Sequence, residues 1–270
     1  MKRNIMTIIV LMTVGISMMG QEKAEYKKAL RDYFDATPAV TSGFKSSQMK
    51  DVYKALNQNL MTNYDEKKSN SLIDKYFTEQ MMDDFCEMFY SVYKSAGITV
   101  EDLNLLTATS LTPDGKAYQQ HMMQMNENSM ATFQSFGMLA AQSKMSAKDL
   151  EDLTVESNIP ADYLEKFDKF YVATNLAGGV EGSMNALKQQ LGNDLVDYMK
   201  RNTKTLYINE AYGMLTMDDL DFGIKMGEMP AYKKQSKLME NMGELIQSVG
   251  MSIVTSYVAW AKGQGVSMKM

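Results

Sequence analysis

One cysteine, one histidine and four prolines are all that 270 residues contain of these types, and each scarcity excludes something. A lone Cys86 cannot form an intramolecular disulfide. It stands at helical spacing from Met82, Phe85 and Phe89, which predicts a buried, inert thiol. Zinc needs several nitrogen or sulfur ligands close together, and His121 and Cys86 are far apart. A Ser–His or Cys–His nucleophile would have to use His121, which lies within a methionine-rich run instead of beside a sharp turn; no Gly-x-Ser-x-Gly elbow is present. The glycine-rich stretch Ala177-Gly178-Gly179-Val180-Glu181-Gly182 lacks the lysine and preceding strand of a phosphate loop, so it predicts a helix break. Basic side chains are outnumbered 28 to 33, and the charges are interleaved, a pattern that speaks against a nucleic-acid partner.

Long hydrophobic runs are also missing, except at the start. Lys2 and Arg3 precede an apolar stretch from Ile5 to Met19; Gly20 then gives way to the charged Gln21-Glu22-Lys23. A core of roughly 15 residues is short of the roughly 20 that span a bilayer. The layout predicts a secretory signal peptide over 1–20, cut between Gly20 and Gln21, and no transmembrane span after cleavage. Cleavage after Ser17 is the alternative, because Met18 is bulky for the third position before the cut. A periplasmic or secreted protein is expected. Without Lys2 and Arg3 the balance is 26 basic against 33 acidic side chains, a net charge of −7.

Strand-like alternation of Val, Ile and Thr is absent, and what is present is helical periodicity. Met81, Met82, Phe85, Cys86, Phe89, Val92 and Tyr93 recur at three- and four-residue steps. Pro113, Pro160 and Pro230 each precede an apolar-periodic run, where proline suits a first helical turn. Thr99 with Asp102, Thr216 with Asp219 and Ser146 with Asp149 have the spacing of N-terminal caps. Helices are expected over 22–36, 39–61, 67–76, 78–96, 100–111, 113–143, 147–153, 160–176, 181–208, 217–228 and 230–262.

The chain also repeats. Ile98-Thr99-Val100-Glu101-Asp102-Leu103 returns as Leu215-Thr216-Met217-Asp218-Asp219-Leu220, and the same offset of 117 carries Pro113 onto Pro230 and Met122 onto Met239. Upstream, Tyr26 matches Tyr163 and Tyr33-Phe34-Asp35-Ala36-Thr37 matches Phe170-Tyr171-Val172-Ala173-Thr174, at an offset of 137. The two registers differ by about twenty residues, which places an insertion between Thr37 and Met82 of the first copy. These observations predict an all-α fold of two tandem helical-bundle units from an internal duplication. Unit one is expected over 21–145, a linker over 146–159, unit two over 160–262 and a frayed tail over 263–270.

Phe89-Tyr90-Ser91-Val92-Tyr93, then Thr99-Val100-Glu101-Asp102-Leu103, then Thr112-Pro113-Asp114-Gly115-Lys116 resembles an exported bacterial helical family, the domain-of-unknown-function family two-zero-five-nine. The resemblance covers residues 78–125 and the earlier helices more loosely. Unit two keeps Thr216, Asp219, Leu220 and Pro230 but has Ala231-Tyr232-Lys233 in place of x-Gly-Lys. The resemblance implies a compact helical domain of the cell envelope and brings no active site with it.

For chemistry the residues offer little. The pairs Asp83-Asp84, Glu101-Asp102 and Asp218-Asp219 are adjacent in sequence, so they diverge by about 100° on a helix and suit caps better than paired acid–base work. Methionine is the abundant type, with 22 of 27 beyond residue 20. His121, Met122 and Met125 are close enough on a helix to suggest a Cu(I) site of thioethers and one imidazole. The competing reading is that methionine fills irregular core gaps. The expected function is non-enzymatic, with no catalytic, cofactor-binding or metal residues: an exported envelope interaction or accessory module whose partner is a protein or an apolar ligand. Cu(I) binding through His121, Met122 and Met125 is the alternative.

Overall fold

Two aromatic-rich cores, linked by helices that run between them, organise the chain. The structure is a computed structural model and describes residues 21–38, 41, 47–143, 151–178, 192–240 and 242–269. The expected signal segment 1–20 and the pair Ser146–Asp149 lie outside these residues, as do 179–182 of the glycine-rich stretch. The structure is 81% helical. No strand occurs among the described residues, so the all-α reading holds.

The helices are α1 (21–36), α2 (Ser47–Leu60), α3 (Glu66–Glu79), α4 (Met81–Ser95), α5 (Val100–Ser110), α6 (Pro113–Ser143), α7 (Ala161–Ala173), α8 (Asn193–Ala211), α9 (Met217–Glu228), α10 (Pro230–Glu240) and α11 (Met242–Gly263). Pro113 and Pro230 each open a helix, where a missing N–H costs nothing. Thr99 and Thr216 both form complete capping boxes. Each hydroxyl accepts from the amide of the Asp three residues on, and that Asp accepts from the cap amide.

The first core joins Tyr26, Tyr33 and Phe34 of α1 to Phe85, Phe89 and Tyr93 of α4. The Phe34 ring lies 4.9 Å from Phe85 and 5.8 Å from both Phe89 and Tyr93, in edge-to-face contacts. The second core gathers Tyr163, Phe167 and Phe170 of α7 with Tyr207 and Ile208 of α8 and Leu220 of α9. Core membership crosses the sequence boundary drawn at 145–160. Tyr118, Met122 and Met125 of α6 belong to the second core, and Ala231, Tyr257 and Ala261 belong to the first.

Three local expectations change. The tail does not fray. Gly265 takes φ 81°, the Val266 amide donates to Ala261 O at 3.2 Å, and the chain turns back to form an antiparallel bridge between Met268 and Met61. Glycine makes that turn without strain, and burial of Met268 holds the segment down. The helix expected over 147–153 is absent from its described part, because 151–156 runs extended along α8. Asn202 accepts from Leu153 N at 2.6 Å, and Asn209 bonds both Glu156 N and Thr154 O. Side-chain amides two turns apart thus satisfy the backbone that a helix would have satisfied internally.

The third change concerns the step into the post-proline helix. A Cβ on Gly115 would stand 2.8 Å from Ser110 O, so only glycine permits the tight α5–α6 turn. At the corresponding step in the second half Met229 is extended, with φ −66° and ψ 133°. That opener turn leaves room for Tyr232, whose hydroxyl donates to Thr174 O at 3.3 Å. Tyr232 therefore occupies a wider step than the one Gly115 makes.

Candidate functional site

His121 sits on α6 and meets α9. Its Nδ1 donates to Asp219 Oδ2 at 2.9 Å, with the imidazole 32% and the carboxylate 5% exposed. The same oxygen accepts from the Thr216 amide at 2.7 Å and the Thr216 hydroxyl at 2.6 Å. Asp219 is therefore a cap first and a histidine partner second. The residues are 98 apart in sequence, and no local pattern pointed to the pair.

Asp102 is built the same way. It accepts from Thr99 N at 2.9 Å and from Lys234 Nζ at 2.6 Å. Burial of the Asp102 carboxyl opposes ionisation, but the Lys234 ammonium and the Thr99 amide outweigh it and hold the carboxyl below the ordinary carboxylate range. The contribution of this contact is present above about pH 4 and is lost as pH falls through the lowered folded value.

The methionine cluster divides. Met122 and Met125 are 8% and 0% exposed and face the second core with Tyr118 and Phe170, whereas His121 turns to Asp219. No group of three His, Cys, Asp or Glu suited to a metal ion occurs among the described residues. Met122→Leu and Met125→Leu are each expected to change stability by less than about 1.5 kcal/mol, as near-isosteric core swaps do. Melting curves with and without Cu(I) under reducing conditions should coincide. A rise of several degrees that vanishes in the double leucine variant would restore the metal reading.

Cys86 is 2% exposed, and burial pushes its thiol up to about 12, so the thiolate is scarce at neutral pH. Native protein should resist alkylation at pH 8 for as long as urea-unfolded protein needs to react completely. Comparable rates in the two states would place the thiol at the surface. The acidic pairs also have structural duties. Asp83 pairs with Arg31, and Asp84 accepts from Tyr76 Oη at 2.9 Å and Gln80 Nε2 at 2.8 Å.

A cleft of about 810 Å³ among the described residues is bounded by α7, α9 and α10. Val172, Ala173 and Ile224 give it an apolar wall; Val172 is 77% exposed. Gly227 lies at its floor because α7 and α9 cross so closely that a Cβ there would fall on the Ala173 carbonyl. Asp168 and Lys169 are engaged with Lys204 at 2.9 Å and Glu165 at 2.8 Å. Lys233 and Lys237, one turn apart on α10, form no ion pair with any described residue, and Glu228 is the acid beside them. Sequence reasoning missed this cleft, since its three walls are distant in sequence and none carries a motif. No described helix is long and apolar enough to cross a membrane. Comparison with family models, curated proteins and solved structures finds no match.

Proposed function

We propose that the protein is an exported, non-enzymatic module of the cell envelope that docks a partner in the α7–α9–α10 cleft. The observation that carries this reading is the cleft itself: an exposed Val172 and an apolar wall lie beside two lysines that form no ion pair with a described residue. Such a combination suits a protein segment or ligand that brings an apolar group together with a negative charge. Among the described residues, the candidates that the sequence singled out have structural engagements. His121 and Asp219 hold a helix cap, Cys86 is buried, and Met122 and Met125 fill a core. Export rests on the charged start, apolar run and polar boundary of residues 1–21, and on the resemblance of the Thr99–Lys116 motif to an exported helical family.

Two measurements test the reading. Mass spectrometry of protein recovered from the envelope fraction should find Gln21 at the N-terminus, and an intact Met1 there would overturn export. A photo-crosslinking residue at position 172 should give a discrete adduct in envelope extracts, which disappears when Lys233 and Lys237 are both changed to Glu. Position 52, exposed on α2, supplies the background. Labelling at 172 no stronger than at 52 would remove the cleft from the proposal.

A further inference from the structure

The helix opened by Pro113 and the helices that follow Pro230 each help to complete the other half of the chain. α6, opened by Pro113, packs on α8 and α9. α10, opened by Pro230, packs on α5 of the first half as well as on its chain neighbour α9, and its continuation α11 packs on α4. At the offset of 117 residues α6 corresponds to α10 with α11, α5 to α9, and α4 to the latter part of α8. The two sets of contacts are therefore reciprocal.

Side chains repeat the exchange in detail. Lys234 reaches from the second half to the cap Asp102 of the first, and His121 reaches from the first half to the cap Asp219 of the second. Tyr118 of α6 lies against Phe170, with ring centres 6.3 Å apart; its counterpart Gln235 of α10 donates to Tyr33 Oη, and Tyr33 is the counterpart of Phe170. Within each half the matched contacts are also the same. Tyr26 Oη donates to Ile98 O at 2.7 Å, and Tyr163 Oη to Leu215 O at 3.1 Å. Thr37 Oγ1 donates to Tyr33 O at 2.7 Å, and Thr174 Oγ1 to Phe170 O at 2.7 Å.

We propose that the chain is an intramolecular swapped dimer: two related halves, each lending its post-proline helix to the other's core, so that the halves hold one another without need of the segment joining them. Exchange of an identical element between two copies is a low-cost route to a dimer, because the contacts made between copies are those a single copy would make within itself. Joining the copies in one chain removes the concentration dependence and leaves the exchange in place. Withdrawing α6 would bare Phe170, which is fully buried, and withdrawing α10 and α11 would bare Tyr33 and Tyr76. Neither half is then a self-sufficient domain.

The test uses the full chain in two ways. Zero-length carbodiimide coupling should give a peptide joining Lys234 to Asp102, and K234R, which keeps the charge but cannot couple, should abolish it. A protease site inserted between Ser157 and Asn158, in an exposed turn, allows the folded chain to be cut there. The cut protein should migrate as one species of unchanged size and retain its helical circular dichroism. Its two pieces should separate only in denaturant. Absence of the Lys234–Asp102 peptide would overturn the exchange. So would separation of the pieces in native buffer.

Discussion

Asp219→Ala is expected to destabilise the protein by about 2–4 kcal/mol, since it removes a helix cap together with buried charge-assisted hydrogen bonds. One carboxylate oxygen serves the Thr216 amide, the Thr216 hydroxyl and the His121 ring, and all three would lose their acceptor in a site only 5% exposed. Water cannot readily take its place. Asp102→Ala removes the equivalent box, but there the carboxylate is 17% and the Lys234 side chain 39% exposed. Solvent replaces part of what is lost, and the expected cost is about 1–2 kcal/mol. Asp219→Asn keeps an acceptor and should fall between wild type and Asp219→Ala. Urea unfolding followed by circular dichroism measures all three. Equal losses at 102 and 219, or a loss below about 1 kcal/mol at 219, would show that the second box is not the buried anchor described above.

Gly227→Ala reverses the usual sign of a helix substitution. In an open helix interior this change stabilises by about 1 kcal/mol, since alanine restricts the unfolded chain and shields the backbone. Here the new methyl falls on the Ala173 carbonyl and stands 2.6 Å from its carbon, so two helix backbones must move apart. No rotamer relieves it. Separation of α7 and α9 would loosen Phe170 and Leu220, both fully buried, and we expect a net loss of about 2–4 kcal/mol. Gly263→Ala is the control. Nothing lies within 4 Å of a Cβ there, and that variant should be as stable as wild type or more so. Thermal unfolding of the pair decides. If Gly227→Ala melts at or above wild type, the close crossing is wrong, and with it the floor of the cleft.

Helix positions were legible because their causes are local. Pro113 and Pro230 mark first turns, and Thr99 and Thr216 mark caps. The apolar stripe from Met81 to Tyr93 announces one buried face that includes Cys86. Each signal operates within one or two turns, so reading along the chain recovers it. The extended segment at 151–156 and the docked tail were not legible. Their backbone groups are satisfied by Asn202, Asn209 and Leu60, residues remote in sequence that carry no mark of the task.

Residue order alone makes the chain helical, sets its caps and opening prolines, marks its apolar faces and repeats a pattern in its two halves. Which apolar face meets which emerges in the packed fold. Helical periodicity states that Tyr118, Met122 and Met125 lie on a face to be buried, and it is silent about the surface that buries them. Because the apolar positions recur in both halves of the sequence, the pattern alone does not say which half a post-proline helix packs against. The pairings of His121 with Asp219 and of Lys234 with Asp102, and the cleft between α7, α9 and α10, follow from that single choice of partner. It is a long-range choice, and the local spacing of residues does not contain it.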